Sequence, residues 1–209
     1  YLNVWAPADP EGPKNLPVYV WYFGGGLQVG NTAEMEFDGE RLARRGIVVV
    51  TVGYRLNVFG FLSHPEITAE DPVRNCNFGF LDQQFATQWV KRNIAAFGGD
   101  PDNVTIFGES GGGGKVGTLM CMPSAKGLFH KAIIMSGTIL NVNTHEMTQT
   151  LGKAVLDELG IAPDEIDRIK DVPYHELHKA GQRAMAASIG VRRPGTPMMW
   201  GFGPTPDGE

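Results

Sequence analysis

The sequence predicts an α/β fold, a mostly parallel sheet flanked by helices, and three observations carry that reading. Residues 18–23 and 47–53 are near-continuous apolar runs, not alternating ones, as strands covered on both faces require. Leu81, Phe85, Trp89, Ile94 and Phe97 recur at near-helical spacing, so residues 78–96 read as an amphipathic helix packed on a sheet by that face. Val104, Thr105, Ile106 and Phe107 form a short β-branched and apolar strand that runs into glycines and then into a helix-compatible stretch.

Taken in order, the chain opens on Tyr1-Leu2-Asn3-Val4-Trp5, a strand already under way. Leu16-Pro17-Val18-Tyr19-Val20-Trp21-Tyr22 is a second strand and leads into Phe23-Gly24-Gly25-Gly26-Leu27. After the strand at 47–53 and the helix at 78–96, Gly98-Gly99-Asp100-Pro101 stops the helix and turns the chain. The strand at 104–107 precedes a helix over 111–120, and 132–135 reads as another buried strand, ending at Ser136-Gly137. Beyond Asn143 the texture is helical: 145–159, a shorter link at 161–171, and 173–188, with Gly160 as a helix stop and Pro173 at a first helical position. The expected organisation is one partial domain: a core over 1–142, a helical insertion over 143–199, and the start of a further core segment over 200–209.

Composition sets limits on function. The 42% hydrophobic content suffices for a substantial core in 209 residues, and a net charge of −5 argues against a nucleic-acid or anionic-membrane partner. No apolar stretch approaches the ~20 residues of a membrane span. Any targeting signal would lie upstream of Tyr1, so the compartment is not readable. Cys76 and Cys121, the only cysteines, make no disulfide framework and read as buried free thiols.

The chemistry centres on Gly108-Glu109-Ser110-Gly111-Gly112, which fits Gly-x-Ser-x-Gly. With 28 glycines in the chain, chance alone supplies such a pentad about one time in ten, so context decides. A strand precedes it and a helix follows, as in a nucleophile elbow, where side chains two before and two after the serine would collide. The second glycine run supplies what such a serine needs. Attack on an ester carbon puts negative charge on the carbonyl oxygen, and backbone N–H groups aimed there stabilise it; Gly25, Gly26 and Gly111 are the candidate donors.

With both glycine runs in place, the chain resembles the type-B carboxylesterases, the α/β-hydrolase family that includes bacterial p-nitrobenzyl-type esterases, bile-salt lipases and cholinesterases. The resemblance rests on Tyr1-Leu2-Asn3-Val4-Trp5, on residues 53–62 (Gly-Tyr-Arg-Leu-Asn-Val-Phe-Gly-Phe-Leu), on Asn77-Phe78-Gly79-Phe80-Leu81-Asp82-Gln83, on Trp89-Val90 and Asn93-Ile94, on Phe97-Gly98-Gly99-Asp100-Pro101, on Phe107-Gly108-Glu109-Ser110 and on Ser136-Gly137. It implies a partial α/β-hydrolase fold holding its N-terminal part. It implies a Ser–His–acid triad with Ser110 as nucleophile, an oxyanion hole from Gly25, Gly26 and Gly111, Glu109 as a buried polar neighbour, Ser136 as a supporting hydroxyl, and an Arg55–Asp82 ion pair. The substrate class it implies is a small-molecule carboxylic ester, with no cofactor and no metal.

Three departures from the family pattern stand out. Phe23 replaces the His or Tyr common before the glycines, and Gly113 stands where alanine is commoner. The acid and histidine of the triad are expected beyond Glu209, since residues 202–209 match a segment that precedes both. Residues 1–209 alone are therefore expected to be a poor or inert esterase. The alternative from a different class is a non-catalytic adhesion or binding relative, although such members lose the serine and Ser110 is present. Other readings fail on spacing. Gly112-x-Gly114-x-x-Gly117 starts too late after its strand for a dinucleotide loop, and Gly114-Lys115 lacks the first glycine and the Ser or Thr of a phosphate loop. His175 and His178 share a helix face but no third metal ligand is evident, and none of His64, His130 or His145 matches the triad base.

Overall fold

Among the described residues, five strands form one sheet: β1 (Leu2–Trp5), β2 (Leu16–Tyr22), β3 (Val48–Val52), β4 (Gly99–Glu109) and β5 (Lys131–Met135). Their spatial order is β1-β3-β2-β4-β5. Only β1 runs antiparallel, pairing Leu2 with Val52 and Trp5 with Val49; every other pairing is parallel. The computed structural model describes residues 1–9, 12, 14–70, 76–137, 142–189 and 201–206.

The helices are α1 (Glu40–Ala43), α2 (Asn57–Phe61), α3 (Pro65–Glu70), α4 (Phe78–Asn93), α5 (Gly111–Cys121), α6 (His145–Leu159) and α7 (Tyr174–Ile189). Chain contacts divide them into two units, Tyr1–Tyr54 with Phe80–Ile139, and Arg55–Gly79 with Leu140–Glu209. In the first, one sheet face is sealed by Val18, Val20, Tyr22, Val48, Val50, Val52, Val104 and Ile106, against Val90 of α4 and Val116 and Leu119 of α5. Each such side chain gains about 1.5–3 kcal/mol from leaving water. The opposite face is aromatic: Phe107 packs on Tyr19 and Trp21 with ring centroids 5.5 and 4.8 Å apart.

Three expectations need correction. The buried stripe of α4 is Phe80, Gln83, Thr87 and Val90, continuing to Ile94, whereas Phe85 is 58% exposed and Phe97 43%. Tyr22 accounts for the threonine: its hydroxyl lies 2.5 Å from Thr87 Oγ1, which donates on to the Gln83 backbone carbonyl, so a buried phenol draws a second hydroxyl into the core stripe. Second, β5 is not buried: among the described residues it pairs with β4 alone, and Ile133, Ile134 and Met135 are exposed. Third, Cys76 is buried but Cys121, the last residue of α5, is exposed; neither is in a disulfide.

The second unit is helical. Thr144 caps α6 by accepting from Met147 N, and Gly160 ends it in the left-handed region (φ 63). A 3-10 stretch over Pro163–Asp171 links α6 to α7. Residues 201–206 carry no strand but are tied down: Asn77 donates to the Thr205 carbonyl (2.8 Å) and accepts from its amide (3.1 Å), while Asn143 donates to Gly201 O (3.0 Å). Residues 190–199 of the expected insertion, and 200 and 207–209 of the expected core segment, lie outside the described residues.

Candidate active site

Ser110 stands at the junction of β4 and α5 with φ 54 and ψ −123, a conformation that L-residues avoid unless their surroundings enforce it. Two anchors do so: Ser110 N donates to Met135 O at 2.9 Å, and Ser110 O accepts from Gly114 N at 3.1 Å. The glycines two before and two after are obligatory. A methyl group on Gly108 would lie 2.5 Å from the Gly112 backbone, and one on Gly112 would lie 2.0 Å from Tyr22 O.

The second glycine run lies at this elbow. A methyl on Gly24 would sit 3.4 Å from Ser110 Cβ, and one on Gly111 would sit 2.7 Å from Gly26 N. Ser110 and the glycines at 24–26 and 111 are thus brought together. Gly25 and Gly26 both need positive φ (89 and 61). The loop's hydrogen bonds engage the Gly25 carbonyl, which accepts from Gln28 N and Val29 N, not its amide. Gly111 is the first residue of α5, so its amide has no intrahelical acceptor, and Ser110 does not cap it.

Glu109 departs from expectation: it is exposed, not buried. As the last residue of β4 it lines a cavity of about 380 Å3, with Trp21, Gly24, Glu36, Phe37, Asp38 and Phe107 among the other lining residues. Ser136 follows β5 with φ 51 and is exposed. Its neighbour Gly137 presses on the elbow, where a methyl would fall 1.7 Å from Ser110 O.

The carboxylesterase family matches residues 1–208. This chain belongs to the carboxylesterase family. It is 45% identical over 188 residues to the para-nitrobenzyl esterase of Bacillus subtilis (strain 168), covering 90% of this chain and 37% of that protein. It is 37% identical over 205 residues to a fumonisin B1 esterase of Sphingopyxis macrogoltabida, covering 97% and 37%. A solved PNB esterase superposes with a TM-score of 0.83 at 42% identity, covering 98% of this chain and 42% of that one. The sheet and its helices are accordingly part of an α/β-hydrolase fold, and the chain spans about two fifths of the length of these relatives.

One residue of this carboxylesterase-family chain was not legible as part of the site. Lys115, on the first turns of α5, is wholly buried. Its Nζ donates to the Phe23 carbonyl at 2.9 Å and lies over the rings of Tyr54 (4.8 Å) and Phe23 (5.5 Å). Burial lowers its pKa to about 7, while the carbonyl and the ring faces favour the cation. The sequence signal, a lysine on the apolar side of a helix four glycines after the nucleophile, was read only against the phosphate-loop pattern.

The histidines divide by unit. His130 is the single histidine of the first; its backbone and Nδ1 bond the two ends of Val104, six residues and about 20 Å of strand from Ser110. In the second unit His64 is buried and desolvation depresses its pKa, His178 stacks on Phe59, and His175 is exposed beside Glu176. Among the described residues no three His, Cys, Asp or Glu gather as metal ligands, and no helix is long and apolar enough to cross a membrane.

Proposed function

We propose that this chain carries the nucleophile and oxyanion hole of a serine carboxylesterase. The observation that supports it best is the strained Ser110 held against the glycines at 24–26. Ser110 Oγ attacks the ester carbonyl carbon and gives up its proton to a general base. The carbonyl oxygen takes the electron pair and is met by the amides of Gly25, Gly26 and Gly111, each worth about 2.7–4 kcal/mol in related sites. Collapse expels the alcohol, which leaves with the base's proton, and water then attacks the acyl-enzyme and releases the acid. The base is not His130, which lies at the far end of β4; by resemblance to the family it lies with its acid partner beyond Glu209. The apolar cavity beside Gly24 and Glu109 suits an apolar acyl or alcohol group of a small ester, and the chemistry calls for no cofactor or metal.

The test is Ser110→Ala in the polypeptide carrying this chain, assayed with p-nitrophenyl butyrate. Turnover should fall by at least about 10³-fold with the melting temperature kept. Activity within a few-fold of the parent would remove Ser110 from the reaction.

A further inference from the structure

The ester chemistry leaves Lys115 without a part, yet a wholly buried lysine is costly to keep. Its surroundings point to a single atom. The Phe23 carbonyl oxygen accepts from Lys115 Nζ at 2.9 Å and from Tyr54 Oη at 2.6 Å. The Phe23 and Tyr54 rings stack with centroids 4.3 Å apart and planes 14° apart, and the ammonium lies over both. A methyl on Gly112 would come within 2.9 Å of the same oxygen, and one on Gly30 within 2.5 Å of the Phe23 ring. Two side-chain donors from different parts of the chain thus converge on one backbone acceptor.

The position of that acceptor gives the convergence its meaning. The Phe23 carbonyl and the Gly24 amide share one rigid peptide plane. Fixing the oxygen fixes the direction in which the chain enters Gly24, Gly25 and Gly26. Three successive glycines have the greatest backbone freedom of any tripeptide and cannot hold an orientation unaided. Lys115 sits on the same helix whose first residue, Gly111, abuts Gly26. The lysine therefore ties the loop to the element that also carries the elbow.

We propose that Lys115 is a positioning residue: with Tyr54 it clamps the Phe23 carbonyl and so holds the Gly24, Gly25 and Gly26 amides where the oxyanion forms beside Ser110. This rests on the esterase reading above. Such a role acts on the transition state and leaves ground-state ester binding nearly untouched.

The experiment uses Lys115→Met, Tyr54→Phe and the double variant in the polypeptide carrying this chain, beside Ser110→Ala. The readouts are kcat and KM for p-nitrophenyl butyrate, and inhibition by an aryl trifluoromethyl ketone, whose serine adduct carries an oxyanion. Lys115→Met should lower kcat by about 10–100-fold with KM within about twofold, and weaken the ketone by a similar factor. Tyr54→Phe should do the same to a smaller extent. The double variant should lose less than the product of the two, because both donors serve one oxygen. A folded Lys115→Met with kcat and ketone affinity within twofold of the parent overturns the clamp, as does a loss confined to KM. Should Lys115→Met fail to fold, Tyr54→Phe decides by the same criteria, since it lacks only one oxygen. Retained turnover in Ser110→Ala refutes the esterase reading itself. A dead Ser110→Ala beside unimpaired Lys115→Met and Tyr54→Phe refutes the clamp alone.

Discussion

At the scale of single residues, the glycines of α5 are not interchangeable. A methyl on Gly112 meets Tyr22 O at 2.0 Å, whereas one on Gly117 meets only Ile134 Cδ1 at 3.6 Å, an ordinary contact. Gly112→Ala should therefore destabilise by about 2–3 kcal/mol and abolish turnover. Gly117→Ala should stabilise by about 0.4–1 kcal/mol through helix propensity and the restricted unfolded chain. Urea denaturation checks both; equal effects would discount the close approach at the elbow. Lys115 makes a prediction of its own. Burial lowers its pKa from the usual 10.5 to about 7, so between those values the unfolded chain holds more protons than the folded one. Stability must then rise with pH across that window, by up to about 1.4 kcal/mol per unit. Tyr22 and Tyr54 are pushed upward by burial and act oppositely only as the pH nears and passes 10, where unfolded tyrosines ionise. Denaturation at pH 7.5, 8.5 and 9.5 should show the rise, and Lys115→Met should flatten it. An unchanged slope in that variant would mean the lysine is not the titrating group.

At the scale of elements, α4 shows where pattern and packing part. Its apolar residues suggest a face through Phe85, but the sheet selects the stripe through Gln83 and Thr87, and the Tyr22 hydroxyl is the partner that Thr87 meets there. Thr87→Val should cost about 1–3 kcal/mol by stranding that hydroxyl, while Phe85→Ser should stay within about 0.5 kcal/mol. The reverse ranking in thermal melts would restore the face through Phe85. Strand positions and the elbow were legible because their patterns are local: β-branched runs, and a Gly-x-Ser-x-Gly pentad between a strand and a helix, although the collision that Gly112 avoids is with distant Tyr22. Lys115 and the exposed Cys121 were not, and Lys115 shows why: its acceptor, Phe23, lies 92 positions away.

At the scale of the whole molecule, charge should shape substrate choice. Glu36, Asp38 and Glu109 are among the residues that line the cavity beside the elbow. The polypeptide carrying this chain should turn over a p-nitrophenyl hemisuccinate with kcat/KM at least about tenfold below the butyrate ester, and added salt should narrow the gap. Equal rates at low salt would remove the carboxylates from recognition. The second unit raises a different matter, the order in which the molecule can be made. Asn77 makes two hydrogen bonds to the backbone of Thr205, 128 positions later. At ribosomal speeds of about 5–20 residues per second, that interval lasts roughly 6–26 s. For that time the two bonds between Asn77 and Thr205, buried in the finished fold, cannot form. The elbow's own strands and helices, complete by Met135, have no such wait. The nucleophile can thus be set in its strained turn while the amide latch of the second unit still stands open.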